Sequence, residues 1–137
     1  MNSSVKNILG SSDYCTIATT SSNGVPWNVP VRFAFDESFL YFRSPVGTTH
    51  GENIAGSGLV SVVVIDTTQA VKGAVYIQSF AEKLDGENEM TAIQEFNRRF
   101  DNPPQQWEQT EYYRIPVGEL DTVQSRGEMY YFQEQAS

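Results

Sequence analysis

Residues 27–44 read WNVPVRFAFDESFLYFRS, and the fold turns on how they are parsed. Val29, Val31, Phe33 and Phe35 recur at every second position, with Asn28, Pro30, Arg32 and Ala34 between them. That is the two-residue period of a β-strand with one buried face. Asp36-Glu37-Ser38 interrupts the pattern with turn-forming residues before Phe39-Leu40-Tyr41-Phe42 resumes it, so the segment is a tight hairpin. Proline has no N–H for a ladder. Pro26 and Pro30 therefore predict a strand that is an edge or is locally opened.

The neighbouring segments extend this β reading. YCTIATTS (14–21) is a strand closed by the turn Ser22-Asn23-Gly24. LVSVVVID (59–66) is apolar on both faces and is expected to be central and buried, and AVYIQSFAEKL (74–84) is a further strand. EYYRIPVGELDTV (111–123) and EMYYFQ (128–133) supply closing strands. Two helical stretches stand out. Ser3 and Ser4 precede Val5, Ile8 and Leu9, and Met90, Ile93, Phe96, Asn97 and Phe100 share one side of a helix that Pro103-Pro104 ends. The whole chain, 1–137, reads as one mainly β domain with a few helices. Its six or seven antiparallel strands favour a closed or split β-barrel.

Composition narrows the partners. The net charge of -8, with Arg98-Arg99 the only basic pair, argues against nucleic acid and anionic membrane surfaces. One cysteine excludes an internal disulfide, and one cysteine with one histidine makes no conventional metal site, so no metal is expected. Cys15 has no neighbouring cation to activate it and is expected to be a small core residue. No apolar run approaches membrane-spanning length, and the cytoplasm is the expected location.

SPVGTTHGENIAGSG (44–58) gathers hydroxyls and the sole histidine between two strands. Thr48 or Thr49 caps a short helix with Ile54 turned inward. The first amides of a helix lack partners within it and carry partial positive charge, so a phosphate fits there. Arg43 and a protonated His50 would neutralise it. A purely structural reading stands beside this one. In it Thr48 only caps the helix, His50 is solvated and Arg43 pairs with a surface carboxylate.

The order of these segments over residues 14–84 resembles the pyridoxamine 5'-phosphate oxidase-like FMN-binding split-barrel family. It comprises an Ala-Thr strand, a Gly/Pro turn, the alternating strand, an LYFRS strand, a turn of the form (S/T)-x-(K/H)-x-x-N-(I/L) and a Val-rich strand. The resemblance implies FMN as cofactor. It places Ser44 near the FMN phosphate, Thr48 and Thr49 where the oxidase has a Ser-Arg pair, His50 at its phosphate-binding Lys and Asn53 at the motif's Asn. The strand NVPVRF would run along the flavin, with main-chain groups of Asn28, Val29, Pro30 and Val31 at the polar edge of the ring. Arg43 makes up for the missing cations.

The resemblance further implies a homodimer with the cofactor at the interface. Trp107, Tyr112, Tyr113 and Arg114 are candidates to reach the neighbouring subunit's flavin, or else simply pack on the helix. Gln78 or Tyr76 is a candidate to face the cofactor. The oxidase's C-terminal Arg-x-His segment has no counterpart after His50, which argues against pyridoxamine phosphate as substrate. The expected activity is a flavin-dependent oxidoreductase acting on a small molecule or a nicotinamide donor. Because a flavin carries its own redox chemistry, no catalytic side chain is assigned. The alternatives are a flavin-binding module or carrier without turnover, or a relative using a deazaflavin or haem.

Overall fold

The structure, a computed structural model, describes residues 1, 3–66, 73–100 and 109–117, and the backbone path of 130–134. The elements are α1 (Ser3–Ser11), β1 (Tyr14–Thr20), β2 (Pro26–Phe35), β3 (Phe39–Pro45), α2 (Thr49–Gly56), β4 (Leu59–Ile65) and β5 (Gly73–Phe80). They continue with β6 (Glu82–Lys83), α3 (Gly86–Arg99), β7 (Thr110–Pro116) and β8 (Tyr130–Glu134). The strands form one antiparallel sheet in the order β6-β7-β3-β2-β1-β4-β5-β8. Seven strands have five residues or more, as the sequence predicts, and the two-residue β6 is added to them.

That short strand closes the barrel. The Ala81 amide still donates to the Gly58 carbonyl at 2.8 Å, continuing the β4–β5 ladder. The next residue, Glu82, pairs instead with Arg114 of β7. At Ala81 the chain thus leaves β5, next to the last strand at one end of the sheet, and joins the other end beside β7, which makes a split β-barrel. The sequence reads 74–84 as one strand. The step at Ala81 is set by pairing to a distant segment and leaves no local signal.

Alternation decides what lies inside. Ile17 of β1, Phe33 of β2, Phe42 of β3, Val62 of β4 and Ile77 of β5 are fully buried in one interior cluster, capped by Val5, Ile8 and Leu9 of α1. A second cluster lies outside the barrel wall, where Ala34 and Tyr41 meet Ala92 and Phe96 of α3. Two elements differ from the sequence expectation. β4 is central in pairing order, but only Val60, Val62 and Val64 are buried, while Leu59 and Ile65 are exposed. The packed face of α3 centres on Ala92 and Phe96, and Met90 is exposed. The helix lies across a curved wall, and that contact is narrower than its apolar stripe. Residues 118–123 and 128–129 of the expected closing strands lie outside the described residues.

The hairpin at 36–38 is held by a side chain. The Asp36 carboxylate accepts from the amides of Ser38 and Phe39, each at 2.8 Å. This local Asx bonding fixes the register of β2 against β3. The register runs only from Phe33↔Phe42 to Phe35↔Leu40, whereas β1 pairs with β2 from Tyr14↔Arg32 to Thr20↔Pro26. Among the described residues, positions 26–32 of β2 are therefore laddered on one side only. The prolines mark this opening: the strand is internal in order but free along part of one edge.

Candidate functional site

Beside that free edge sits α2. Thr48 caps it with extended backbone, and its Oγ1 accepts from the Gly51 amide at 3.1 Å. His50, Asn53 and Ile54 are its buried residues. Asn53 turns inward, and its Nδ2 donates to Thr19 Oγ1 of β1 at 2.9 Å. Both groups are buried, so this bond fixes the helix over the end of β1. His50 packs against Phe42, with ring centroids 6.4 Å apart, and its Nε2 lies 3.3 Å from Thr48 Oγ1.

The structure groups Thr48, His50 and Asn53 at α2, which packs on β1 and touches β2. Thr49 is exposed at the first position of α2, as are Asn28 and Pro30 on β2; Val29 is half-buried and Val31 is buried. Arg43 does not join them. It follows Phe42 on β3 and so faces the other way, beneath α3, where its guanidinium lies 5.4 Å from the Phe96 ring centroid. Strand alternation was the available signal, because adjacent residues cannot share a face.

His50 also departs from expectation. It is buried and not solvated, and burial lowers its pKa from the usual histidine range, disfavouring the charged form.

Two residues of β7 complete this corner: Tyr113, which the sequence offered only as a reach toward a neighbouring subunit's flavin or as packing on the helix, and Glu111, which it did not single out. Tyr113 of β7 stacks on Phe42, centroids 4.8 Å apart and nearly parallel. Its hydroxyl donates to Glu111 Oε2 at 2.5 Å. Burial, then that carboxylate, pushes the phenol's pKa up. Glu111 had no sequence signal, because its place depends on the pairing of Ser44 with it across β3 and β7. Among the other candidates, Tyr112 packs edge-on against Phe96. Arg114 lies 4.3 Å from the Phe39 ring centroid and pairs with Glu82. Trp107 lies outside the described residues. Gln78 is exposed and lines a groove of about 630 Å³ with Ala18, Pro26, Leu59 and Phe80, while Tyr76 is half-buried.

A flavin meets these features at two places. An unpaired strand edge offers backbone donors and acceptors to the polar rim of a ring, and this part fits. The first turn of α2 offers amides and the hydroxyls of Thr48 and Thr49 to the far end of the ligand. Arg43, however, lies on the other face of β3, and burial disfavours the charged form of His50. The donor set suits a hydrogen-bonding end and does not fit a phosphate carrying two full charges. Among the described residues no three His, Cys, Asp or Glu side chains converge. No described helix is long and apolar enough to cross a membrane.

A family model described as pyridoxamine 5'-phosphate oxidase matches residues 2–124. No curated protein matches. Among solved structures, a candidate 5-nitroimidazole antibiotic resistance protein from Bacteroides thetaiotaomicron superposes with a TM-score of 0.72 at 16% identity, covering 87% of this chain and 81% of that one. The haem storage protein HutZ of Vibrio cholerae gives 0.70 at 18%, covering 82% and 87%. An FAD-binding protein of Mesorhizobium loti gives 0.65 at 20%, covering 87% and 91%. At these identities the likeness is one of fold.

Proposed function

Since the chain belongs to the pyridoxamine 5'-phosphate oxidase family, we propose that it binds a flavin and acts as a flavin-dependent oxidoreductase on a small molecule. The observation that carries this reading is the edge of β2 that, among the described residues, has no ladder over 26–32, on a strand that α2 touches. In this reading the main chain of Asn28, Val29, Pro30 and Val31 receives the ring. Thr48, Thr49 and the leading amides of α2 receive the far end of the ligand. Asn53 positions the helix through Thr19. A bound flavin supplies reversible two-electron chemistry of its own, so the chain's task is to bind, orient and exclude water. Pyridoxamine phosphate itself is not the proposed substrate.

The proposal includes a homodimer with the flavin at the subunit boundary. Leu59 and Phe80 pair across β4 and β5 and are 65% and 46% exposed, an apolar patch of the kind that self-association covers. A haem reading is weakened by the sole histidine. His50 is buried between Thr48 and Phe42, so histidine ligation would require α2 to move.

Purification gives the direct test. The protein is expected to carry or take up a flavin, visible in its absorbance, and the bound flavin is expected to bleach anaerobically with NADH, NADPH or another small donor. A protein that binds neither FMN nor riboflavin would overturn the reading; one that binds flavin but is not reduced by any donor would reduce it to a binding module.

A further inference from the structure

The corner that the far end of a bound flavin would reach already holds an anion of this chain. Gly51, in the first turn of α2, has no side chain, and β7 crowds the space this leaves. A β-carbon there would stand 3.1 Å from the Tyr113 hydroxyl and 3.8 Å from Glu111 Oε2. Tyr113 donates to that oxygen, and Lys83 Nζ lies 3.1 Å from the other. These two partners hold the Glu111 carboxyl below the usual range, so it is ionised near neutrality. Outside the corner lies a cavity of about 500 Å³ lined by Gly51, Glu52, Lys83, Glu111 and Tyr113, among others. A ligand group entering there meets the carboxylate directly.

The balance of charge follows from the same contacts. Arg43 is beneath α3 on the opposite face of β3. His50 is buried, which disfavours its charged form. Lys83 is already engaged by Glu111, and Glu52 adds a further negative charge in the first turn of α2. The positive end of the α2 dipole therefore faces a carboxylate that belongs to the protein.

We infer that Glu111 sets the charge accepted at this corner, favouring a flavin that ends in an uncharged group or a singly charged phosphodiester over one that ends in a phosphate monoester dianion. The identity of the ligand rests on the flavin reading; the competition between Glu111 and an incoming phosphate does not. With an effective dielectric of about 20 to 40 and a separation of roughly 7 Å, removing one of the opposed charges changes affinity by about tenfold.

The test uses the full chain as wild type, Glu111→Gln and Lys83→Met. Gln keeps an acceptor for Tyr113, so the fold of the corner is preserved while its charge is removed. Riboflavin and FMN, which share one ring system, are titrated by flavin fluorescence. The expected result is riboflavin affinity unchanged within about twofold, with FMN binding roughly tenfold tighter in Glu111→Gln and several-fold weaker in Lys83→Met. Inorganic phosphate is titrated separately, following the amide resonances of Thr49, His50 and Gly51. Here too Glu111→Gln is expected to bind about tenfold more tightly than wild type. Equal responses to both flavins, or no gain for phosphate at these amides, overturns the inference. If neither flavin binds any variant while phosphate behaves as expected, the flavin reading falls and the assignment of Glu111 stands.

Discussion

The Asn53 amide donates to the Thr19 hydroxyl at 2.9 Å, joining residues 34 apart in sequence, with both side chains buried. Through this bond α2 is seated on β1 beside the open edge of β2. Asn53→Ala leaves a buried hydroxyl without its donor and is expected to cost about 1–3 kcal/mol of stability. Thr19→Val should cost comparably, and the double variant less than the sum. Urea denaturation of the four proteins measures the coupling; strict additivity would show that the bond does not hold the helix.

Gly51 is a glycine for packing reasons. On helix propensity alone Gly51→Ala would stabilise α2 by about 1 kcal/mol. The new β-carbon would instead meet Thr48 Oγ1 at 3.0 Å and the Tyr113 hydroxyl at 3.1 Å. The expected outcome is a net loss of roughly 1 kcal/mol, partly recovered when Tyr113→Phe removes the hydroxyl. A gain in melting temperature for Gly51→Ala alone would contradict the close approach.

Stability should depend on pH through His50. Burial lowers its folded-state pKa below the unfolded value of about 6.5. The unfolded chain therefore binds the proton more tightly, and stability is full above that value and falls as pH drops below it. His50→Gln should flatten this slope in denaturation curves taken on either side of pH 6. Glu111 acts in a separate, more acidic window. Its carboxyl is lowered, so its contribution is retained above the ordinary glutamate range and lost as pH falls through the folded value.

Cys15 should be inert in the folded protein. It is 2% exposed, and desolvation raises its pKa far above the usual thiol range, with Arg99 offsetting only part of the effect. An aromatic disulfide reagent is expected to react only at the rate of unfolding. Rapid stoichiometric labelling under native conditions would mean that β1 opens locally beneath α1.

The apolar pair on β4 and β5 gives a test of assembly. Leu59→Glu places a charge on the patch shared with Phe80 and is expected to convert the proposed dimer to monomer in sedimentation, with little change in monomer stability because Leu59 is exposed. A wild type that sediments as a monomer would remove the dimer from the proposal.

The local elements were legible because each is written in its own residues. The alternation of Val29, Val31, Phe33 and Phe35 required a strand, Pro26 and Pro30 required its opening, and Asp36 supplied its hairpin. Thr48 required the start of α2, and Val5, Ile8 and Leu9 the buried face of α1. Much of the candidate site was readable for the same reason, since Ser44, Thr48, His50 and Asn53 fall in one short segment.

What only tertiary structure decided was the set of neighbours and their charge states. Strand pairing sent Arg43 beneath Phe96 and brought Glu111 opposite Ser44; enclosure against Phe42 lowered the pKa of His50. Periodicity records which way a side chain points relative to its own backbone. Coulomb and solvation energies depend on atoms that arrive from distant segments, and no local pattern encodes their approach.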